Sequence, residues 1–142
     1  MTAFLASVVS PAEALVALDC GADIVDCTDP ARGALGAPSP EVVAGVVRAV
    51  AGSRPVSAAA GPLDLSGARL AAAVEALRDA GADIVKVGLA DEADARAKIV
   101  ALAPLAQDVQ LVAVLLADRT PPLGMIGELA AAGFSGAMLD TV

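Results

Sequence analysis

LDCGADIVD, at residues 18–26, is echoed by RDAGADIVK at residues 78–86 and more loosely by AAGFSGAMLD at residues 131–140. In each copy a helical run ends at a glycine, where a left-handed C-cap costs little, and a short aliphatic strand follows at once. The repeat therefore marks a joint between a helix and the next strand. Three such joints predict a chain in which helices and strands alternate.

The same alternation continues between the joints. Six short apolar runs predict strands, at Phe4–Val9, Ile24–Cys27, Pro55–Ala59, Ile84–Val87, Val109–Leu116 and Gly136–Leu139. Five stretches with helical spacing or capping signals predict helices, at Pro11–Asp19, Ser39–Val50, Ser66–Ala80, Glu92–Leu105 and from Pro121 or Pro122 onward. Strands that alternate with helices pair in parallel, and strands that are apolar nearly throughout need cover on both faces. The fold class is therefore α/β.

Two architectures fit this alternation: a doubly wound open sheet, or most of a (β/α)₈ TIM barrel. A complete barrel typically takes about 250 residues, so 142 residues with six strands fall two βα units short of one. No linker or charge run divides the sequence, and we expect one incomplete barrel domain over residues 1–142. Against a flavodoxin-like or response-regulator-like sheet, no acidic cluster follows the first strand near Ser10.

The acidic composition argues against several classes of function. Nine Lys and Arg against 17 Asp and Glu give a net charge of -8, and the chain holds two Phe and no Trp or Tyr. Nucleic-acid binding needs positive charge for the phosphates and rings on which bases stack, so we expect no nucleic-acid partner. The longest aliphatic run, Leu111–Ala117, is shorter than the roughly 18 to 20 residues of a bilayer span, so we expect no membrane role.

The start of the chain and its two cysteines indicate a cytoplasmic protein. No Lys or Arg precedes the apolar start at residues 1–10, so the sequence shows no secretory signal. Cys20 and Cys27 form neither a CxxC motif nor a disulfide framework. We expect both cysteines to be reduced and to pack as small buried apolar side chains.

Histidine is absent from the sequence. Its absence removes the commonest general base, the Ser-His-Asp triad and nearly every zinc site. Acid-base chemistry must then rely on Lys, Asp or Glu, and we expect no metal and no cofactor. Gly33 and Gly36 lack the strand-GxGxxG-helix spacing of a dinucleotide site, so we expect a flexible active-site loop at Thr28–Ser39.

In both architectures reactive groups gather at the carboxyl ends of parallel strands. The predicted strands deliver polar residues there, namely Ser10, Asp26, Thr28, Ser57, Lys86, Asp118 and Asp140. Lys86 is the main candidate, because it is one of only two lysines and lies inside the apolar run 84–88. Burial disfavours the charged form of an amine, which suits Lys86 to proton abstraction or to a Schiff base with a carbonyl substrate. A structural lysine that reaches an acidic partner is the alternative.

The acidic residues divide into two groups. Asp26 and Asp140 are candidates for general acid-base catalysis, or for neutralising the charge of Lys86. Asp23 and Asp83 each stand two residues after a helix-ending glycine, and we expect them to shape the joints.

The second lysine, Lys98, lies at helical spacing in a charged stretch, and we expect it to be solvated at the surface.

Five phrases, taken in order and with their separations, resemble the (5-formylfuran-3-yl)methyl phosphate synthase family. They are Ser10-Pro11, GADIVD at 21–26, DPARGALGA at 29–37, KVGL at 86–89 and AMLDT at 137–141. The resemblance implies a (β/α)₈ barrel that condenses two molecules of glyceraldehyde 3-phosphate, with loss of phosphate and water, into the furan precursor of methanofuran in one-carbon metabolism. It thus implies a carbon-oxygen lyase acting on a phosphorylated triose. The match spans the whole chain and about three-fifths of the family pattern, judged by the usual barrel length.

The resemblance also implies roles for individual residues. Asp26 falls on the family's strand-two carboxylate, Lys86 on its proton-accepting lysine and Asp140 on its strand-six carboxylate. Thr28 stands where the family has its Schiff-base lysine, and a hydroxyl cannot form an imine. A further family lysine lies just past the end of this sequence. Lys86 is therefore the amine left to take a Schiff-base role.

Two more expectations concern the incomplete barrel. Barrels that bind phosphorylated sugars commonly hold the phosphate with the loops after strands seven and eight, and without these loops the sequence shows no evident phosphate site. The first and sixth strands would form apolar open edges, which sheets ordinarily avoid, so we expect a homo-oligomer paired at these edges. The alternative function is a non-catalytic binding or scaffold protein, a degenerate or truncated barrel, which Thr28 and the short length favour.

Overall fold

A computed structural model describes residues 2–141, so the first and last residues of the predicted domain, Met1 and Val142, lie outside the described residues. The strands are β1 (Leu5–Val8), β2 (Ile24–Cys27), β3 (Val56–Ala59), β4 (Ile84–Leu89), β5 (Gln110–Leu116) and β6 (Gly136–Asp140). The α-helices are α1 (Pro11–Asp19), α2 (Pro40–Val50), α3 (Gly67–Asp79), α4 (Glu92–Leu102) and α5 (Ile126–Ala131). Short 3₁₀ turns occur at Pro30–Arg32, Ala103–Gln107 and Leu123–Met125.

The six strands form one all-parallel sheet in the strictly sequential order β1-β2-β3-β4-β5-β6. A doubly wound sheet would reverse its strand order at a switch point, whereas a barrel adds each strand beside the previous one. The sheet therefore curls into an incomplete barrel. Of the two predicted architectures, the barrel is the one observed.

The main core lies between the convex face of the sheet and the helices. Val25 and Val85 point outward from β2 and β4 and are completely buried. Val43 and Val46 of α2 belong to the same core and are also completely buried, in keeping with an apolar helix face repeated every three to four residues. A smaller apolar cluster fills the concave side and consists of Leu35, Val114 and Leu116, with Leu63 and Met138 against it.

The repeated joints form as the sequence predicts. Gly21, Gly81 and Gly133 adopt positive φ angles of 84°, 96° and 89°, a conformation that glycine reaches without the Cβ penalty. Asp23 Oδ2 accepts the backbone N–H of Phe4 at 2.8 Å, and Asp83 Oδ2 accepts that of Val56 at 2.8 Å. Each aspartate thus stands at a joint, as predicted, but its side chain holds the beginning of the preceding strand rather than the turn of the joint itself.

Lys98 is not at the surface, and this prediction was wrong. Its side chain is buried, with Nζ 2.6 Å from the carbonyl oxygen of Leu63, 3.1 Å from that of Gly88 and 2.8 Å from Asp94 Oδ2. The face of α4 that carries Lys98 packs toward the sheet, where the carbonyl groups of Leu63 and Gly88 need hydrogen-bond donors. The ion pair with Asp94 compensates the buried charge.

The two cysteines differ in exposure. Cys27 is buried on the convex side of β2, as predicted, whereas Cys20 is exposed and the prediction for it was wrong. Cys20 is the C-cap of α1, and its backbone N–H bonds back into the helix while the side chain stays outside the core. No helix within residues 2–141 is long and apolar enough to cross a membrane.

Candidate active site

Strand register places four polar side chains on the concave face of the sheet. Ser7 of β1 pairs with Asp26 of β2, which pairs with Ser57 of β3. Lys86 of β4 pairs with Ala59, two residues after Ser57, and so points to the same side. Because side chains alternate along a strand, all four leave the helix-covered face and meet inside the curled sheet.

The carboxylate of Asp26 is the centre of this group. Its Oδ2 lies 2.7 Å from Lys86 Nζ and also accepts the hydroxyls of Thr28 at 2.8 Å and Ser7 at 3.1 Å. Its Oδ1 accepts the Ser57 hydroxyl at 2.6 Å. Asp26 is 1% exposed and Lys86 is 6% exposed, so the ion pair is almost fully removed from water. A buried ion pair is stable when further hydrogen bonds satisfy the remaining donors and acceptors of both groups, and the hydroxyls around Asp26 and Lys86 do so here.

Thr28 is part of the same network rather than a separate loop residue. Lys86 Nζ donates to Thr28 Oγ1 at 3.0 Å, and Thr28 in turn donates to Asp26. The ammonium is therefore held by a carboxylate and a hydroxyl whose positions are themselves fixed. This arrangement can move a proton between Lys86 and Asp26, and the neutral amine would be placed to attack a carbonyl carbon.

Asp140 lies on the concave face but is not in this network. Lys86 pairs with Val112, which pairs with Gly136, so Asp140 stands four residues further along β6, or about 13 Å along an untilted strand. Asp140 Oδ1 accepts the backbone N–H of Thr141 at 2.8 Å. Among the described residues, Lys86 forms an ion pair with Asp26 and with no other residue. The predicted neutralisation of Lys86 is thus provided by Asp26 and not by Asp140.

A cavity of about 350 Å³ opens beside the network. Ser7 and Thr28 of the network line it, as does Thr141, the neighbour of Asp140. The remaining lining residues are Pro30, Gly33 and Ala34 of the β2–α2 loop. The curl of the sheet therefore brings the ends of β2 and β6 to one space, although their carboxylates do not touch.

Sequence reasoning missed Ser7 as a member of the site. It also mentioned Ser57 only as a residue at a strand end. The signal was present for both, since each is a polar residue at a position that faces the same side as Asp26, on strands that are otherwise aliphatic. Only the parallel register shows that the two hydroxyls donate to the same carboxylate.

Cys27, next to Asp26 in the chain, faces the other way and takes no part in the site. Burial raises the pKa of the Cys27 thiol to about 12, and the negative charge of Asp26 adds to the rise while Lys86 partly offsets it. The thiolate is the reactive form of cysteine, so Cys27 is not a nucleophile near neutral pH.

These observations define the class of protein. It is an incomplete parallel barrel with a buried lysine-carboxylate pair on its concave face. Solved structures share the fold at 16–18% sequence identity. The phosphoenolpyruvate phosphomutase of Streptomyces platensis subsp. rosaceus matches with a TM-score of 0.77 over 99% of this chain and 60% of its own. A 2,3-dimethylmalate lyase of the PEP mutase/isocitrate lyase superfamily matches with a TM-score of 0.75 over 98% of this chain and 56% of its own.

The model of the 4-HFC-P synthase family matches residues 4–142, and the chain belongs to this family. A Methylorubrum extorquens protein that carries the name of a (5-formylfuran-3-yl)methyl phosphate synthase is 45% identical over 96% of this chain and 56% of its own length. The (5-formylfuran-3-yl)methyl phosphate synthase of Methanosarcina barkeri is 41% identical over 61% of this chain and 37% of its own. The resemblance carried by the five phrases is thus confirmed, and the chain spans about half the length of the first relative.

Proposed function

We propose that the chain is a synthase that condenses two molecules of glyceraldehyde 3-phosphate into (5-formylfuran-3-yl)methyl phosphate, as a carbon-oxygen lyase. Family membership supports the reaction class, and the 2.7 Å contact between Lys86 Nζ and Asp26 Oδ2 is the observation that carries the proposal. A buried amine held by a proton acceptor, beside a cavity, is what carbonyl chemistry of a triose needs.

In this proposal Lys86 and Asp26 act as a pair. Asp26 takes a proton from the Lys86 ammonium, the neutral amine attacks the carbonyl carbon of the triose, and water leaves as the imine forms. The imine then withdraws electrons from the neighbouring carbon, whose proton is the next to be removed. Thr28 positions the amine through its 3.0 Å hydrogen bond and supplies no nucleophile for an imine.

Asp140 has a separate part in the proposal. The cavity that Ser7 and Thr28 line also reaches Thr141, so a substrate in it would meet the end of β6. Asp140 is half-buried there and would serve as general acid or base on the side of the substrate away from Lys86. Its role differs from that of Asp26 because no contact ties it to the amine.

Turnover tests the proposal directly. The chain is incubated with glyceraldehyde 3-phosphate, and released phosphate and the furan aldehyde are measured by a colorimetric assay and by mass spectrometry. We expect product with the unaltered chain and with Arg48→Ala, in the last turn of α2, and none with Lys86→Ala. Product that survives in Lys86→Ala would remove this lysine from the mechanism. Absence of product from the unaltered chain would favour the non-catalytic binding or scaffold alternative.

The proposal extends to partners and location. A phosphorylated triose is the substrate, nucleic acid and membranes are not partners, and the protein acts in the cytoplasm. The edge strands support self-association, since Leu5 of β1 is 38% exposed and Leu139 of β6 is 60% exposed. Exposed apolar side chains on open strand edges favour pairing with a second copy.

A further inference from the structure

We propose that Arg32 and Arg119 form a binding subsite for the phosphate group of a phosphate monoester. Both arginines line one cavity of about 360 Å³ at the carboxyl end of the sheet. Arg32 comes from the 3₁₀ turn after β2, and Arg119 follows the end of β5. The sheet thus brings two guanidinium groups, 87 positions apart in the sequence, to one opening.

Charge sets this cavity apart from the rest of the molecule. The chain carries a net charge of -8, whereas the cavity lining holds two arginines and one carboxylate, Asp64. An anion in this cavity therefore meets two guanidinium groups on an otherwise acidic protein, although Arg32 is also paired with Asp29 beside the cavity. Guanidinium groups suit phosphate oxygens in particular, because their N–H donors form a planar fork that matches two oxygens at once.

The two guanidinium groups differ in the contacts that they make within the protein. Arg32 is held in place by its own loop, with Nε 3.2 Å from Asp29 Oδ2 and Nη1 donating to the carbonyl of Ala37 at 3.1 Å. These bonds leave Nη2 with its N–H groups free to bind a ligand. The guanidinium of Arg119 makes no hydrogen bond or ion pair with any residue between 2 and 141. Arg32 therefore supplies a donor that its own loop holds in place, and Arg119 supplies a second guanidinium at the same cavity.

The cavity adjoins the candidate active site. Gly33 and Ala34 line both the arginine cavity and the cavity that contains Ser7, Thr28 and Thr141. A ligand whose phosphate lies between the arginines can therefore extend past this short loop segment toward Thr28. Leu35 and Leu63 form an apolar floor beneath the arginines and pack over Gly88, which follows Lys86 on the same face of β4.

The subsite offers a place for the phosphate group of the substrate, for which the sequence alone shows no evident site. The identity of the ester as a phosphorylated triose rests on the proposed function. The binding of phosphate itself does not, and can be measured separately.

Isothermal titration with inorganic phosphate tests the subsite on four variants beside the unaltered chain. We expect Arg119→Ala and Arg32→Ala each to weaken phosphate binding about tenfold, since each removes charge-assisted hydrogen bonds. Asp64→Asn should strengthen binding, because it removes the opposing carboxylate. Arg48→Ala removes the same charge at the opposite end of the strands and should leave binding unchanged. Equal affinity in Arg119→Ala and Arg48→Ala would overturn the subsite.

Borohydride trapping of an imine separates this subsite from the catalytic proposal. In Arg119→Ala the concentration of glyceraldehyde 3-phosphate that gives half-maximal trapping should rise about tenfold, whereas that of unphosphorylated glyceraldehyde should not change. Lys86→Ala should lose trapping and keep its affinity for inorganic phosphate. Phosphate binding that depends on Arg119, without trapping in any variant, would sustain the subsite and refute the proposed reaction. An equal rise for both aldehydes would refute the subsite.

Discussion

Lys86 Nζ lies 2.7 Å from Asp26 Oδ2, although β4 and β2 are separated by the whole of β3. The strand register explains how the two side chains meet across β3. Lys86 pairs with Ala59, while Asp26 pairs with Ser57, so the two residues stand two positions apart along the strands. The tilt of strands in a barrel brings such staggered residues to one level on the concave face. The pair is therefore a product of the curled sheet as a whole.

The buried ion pair should be sensitive to the loss of one partner. Lys86→Met leaves the Asp26 carboxylate buried and without a countercharge, which we expect to lower the free energy of unfolding by about 3–5 kcal/mol. The double variant Lys86→Met/Asp26→Leu should lose less than the two single variants together. Urea unfolding followed by circular dichroism measures all three, and Arg48→Met, which we expect to change stability by less than about 0.5 kcal/mol, is the control. Additive losses would show that the pair is not coupled.

Lys98 should prove as important for stability as its burial suggests. Lys98→Met removes the donor to the carbonyls of Leu63 and Gly88 and leaves Asp94 without its partner, at a cost of about 3 kcal/mol. Arg96→Met, on the exposed face of the same helix, is the matched control and should cost under about 0.5 kcal/mol. Chemical unfolding compares the two, and equal stabilities would place Lys98 outside the core.

The thiols should differ in reactivity and in their effect on pH stability. Exposed Cys20 should react with Ellman's reagent at neutral pH, while Cys27 should react only after unfolding. The Cys27 pKa is raised from 9.0 to about 12 in the folded chain, so its contribution to stability is complete below pH 9 and is lost as pH rises toward 12. The free energy of unfolding should therefore fall less steeply over this range in Cys27→Ala than in Cys20→Ala. Parallel slopes would contradict the raised pKa.

Thr28→Lys should supply the amine that the family resemblance places two residues after Asp26. We expect a second imine at position 28 and faster phosphate release from glyceraldehyde 3-phosphate, because the new amine lies beside the existing proton acceptor. Thr28→Val, which removes the hydroxyl and adds no amine, is the matched control and should slow release. Peptide mass spectrometry after reduction locates the imine. A single adduct on Lys86 in Thr28→Lys would show that position 28 does not face the substrate.

Self-association should depend on the open edge of β6. Leu139→Glu places a charge on this edge and should convert an oligomer into a monomer, as measured by light scattering coupled to size exclusion. Val100→Glu, at an even more exposed apolar position on α4, is the control and should leave the mass unchanged. A monodisperse monomer of the unaltered chain would refute the edge pairing.

The alternation of helices and strands could be predicted because its signals are local. A glycine two residues before each joint aspartate, and a serine before each of α1, α2 and α3, specify backbone conformation within a few residues. The polar character of the strand ends followed from the same pattern, which is why Lys86 and Asp26 stood out. These are properties of short segments and need no knowledge of distant contacts.

What the sequence could not supply depends on how distant segments meet. The charged surroundings of Lys98 suggested a surface helix, because the carbonyls of Leu63 and Gly88 that bind it belong to other elements. Asp140 was grouped with the lysine because the predicted strands place both near a strand end, and only the register shows that it stands four residues beyond the β6 residue aligned with Lys86. The meeting of Arg32 and Arg119 depends on the curl of the sheet in the same way.

Site-specific reductive trapping is the most direct test of the account, because the chain has only two lysines. The unaltered chain is treated with glyceraldehyde 3-phosphate and borohydride, digested and sequenced by mass spectrometry. The account predicts a triose adduct on Lys86, none on Lys98, and no adduct in Lys86→Met. An adduct confined to Lys98, or no lysine adduct at all, would contradict a reactive amine on the concave face.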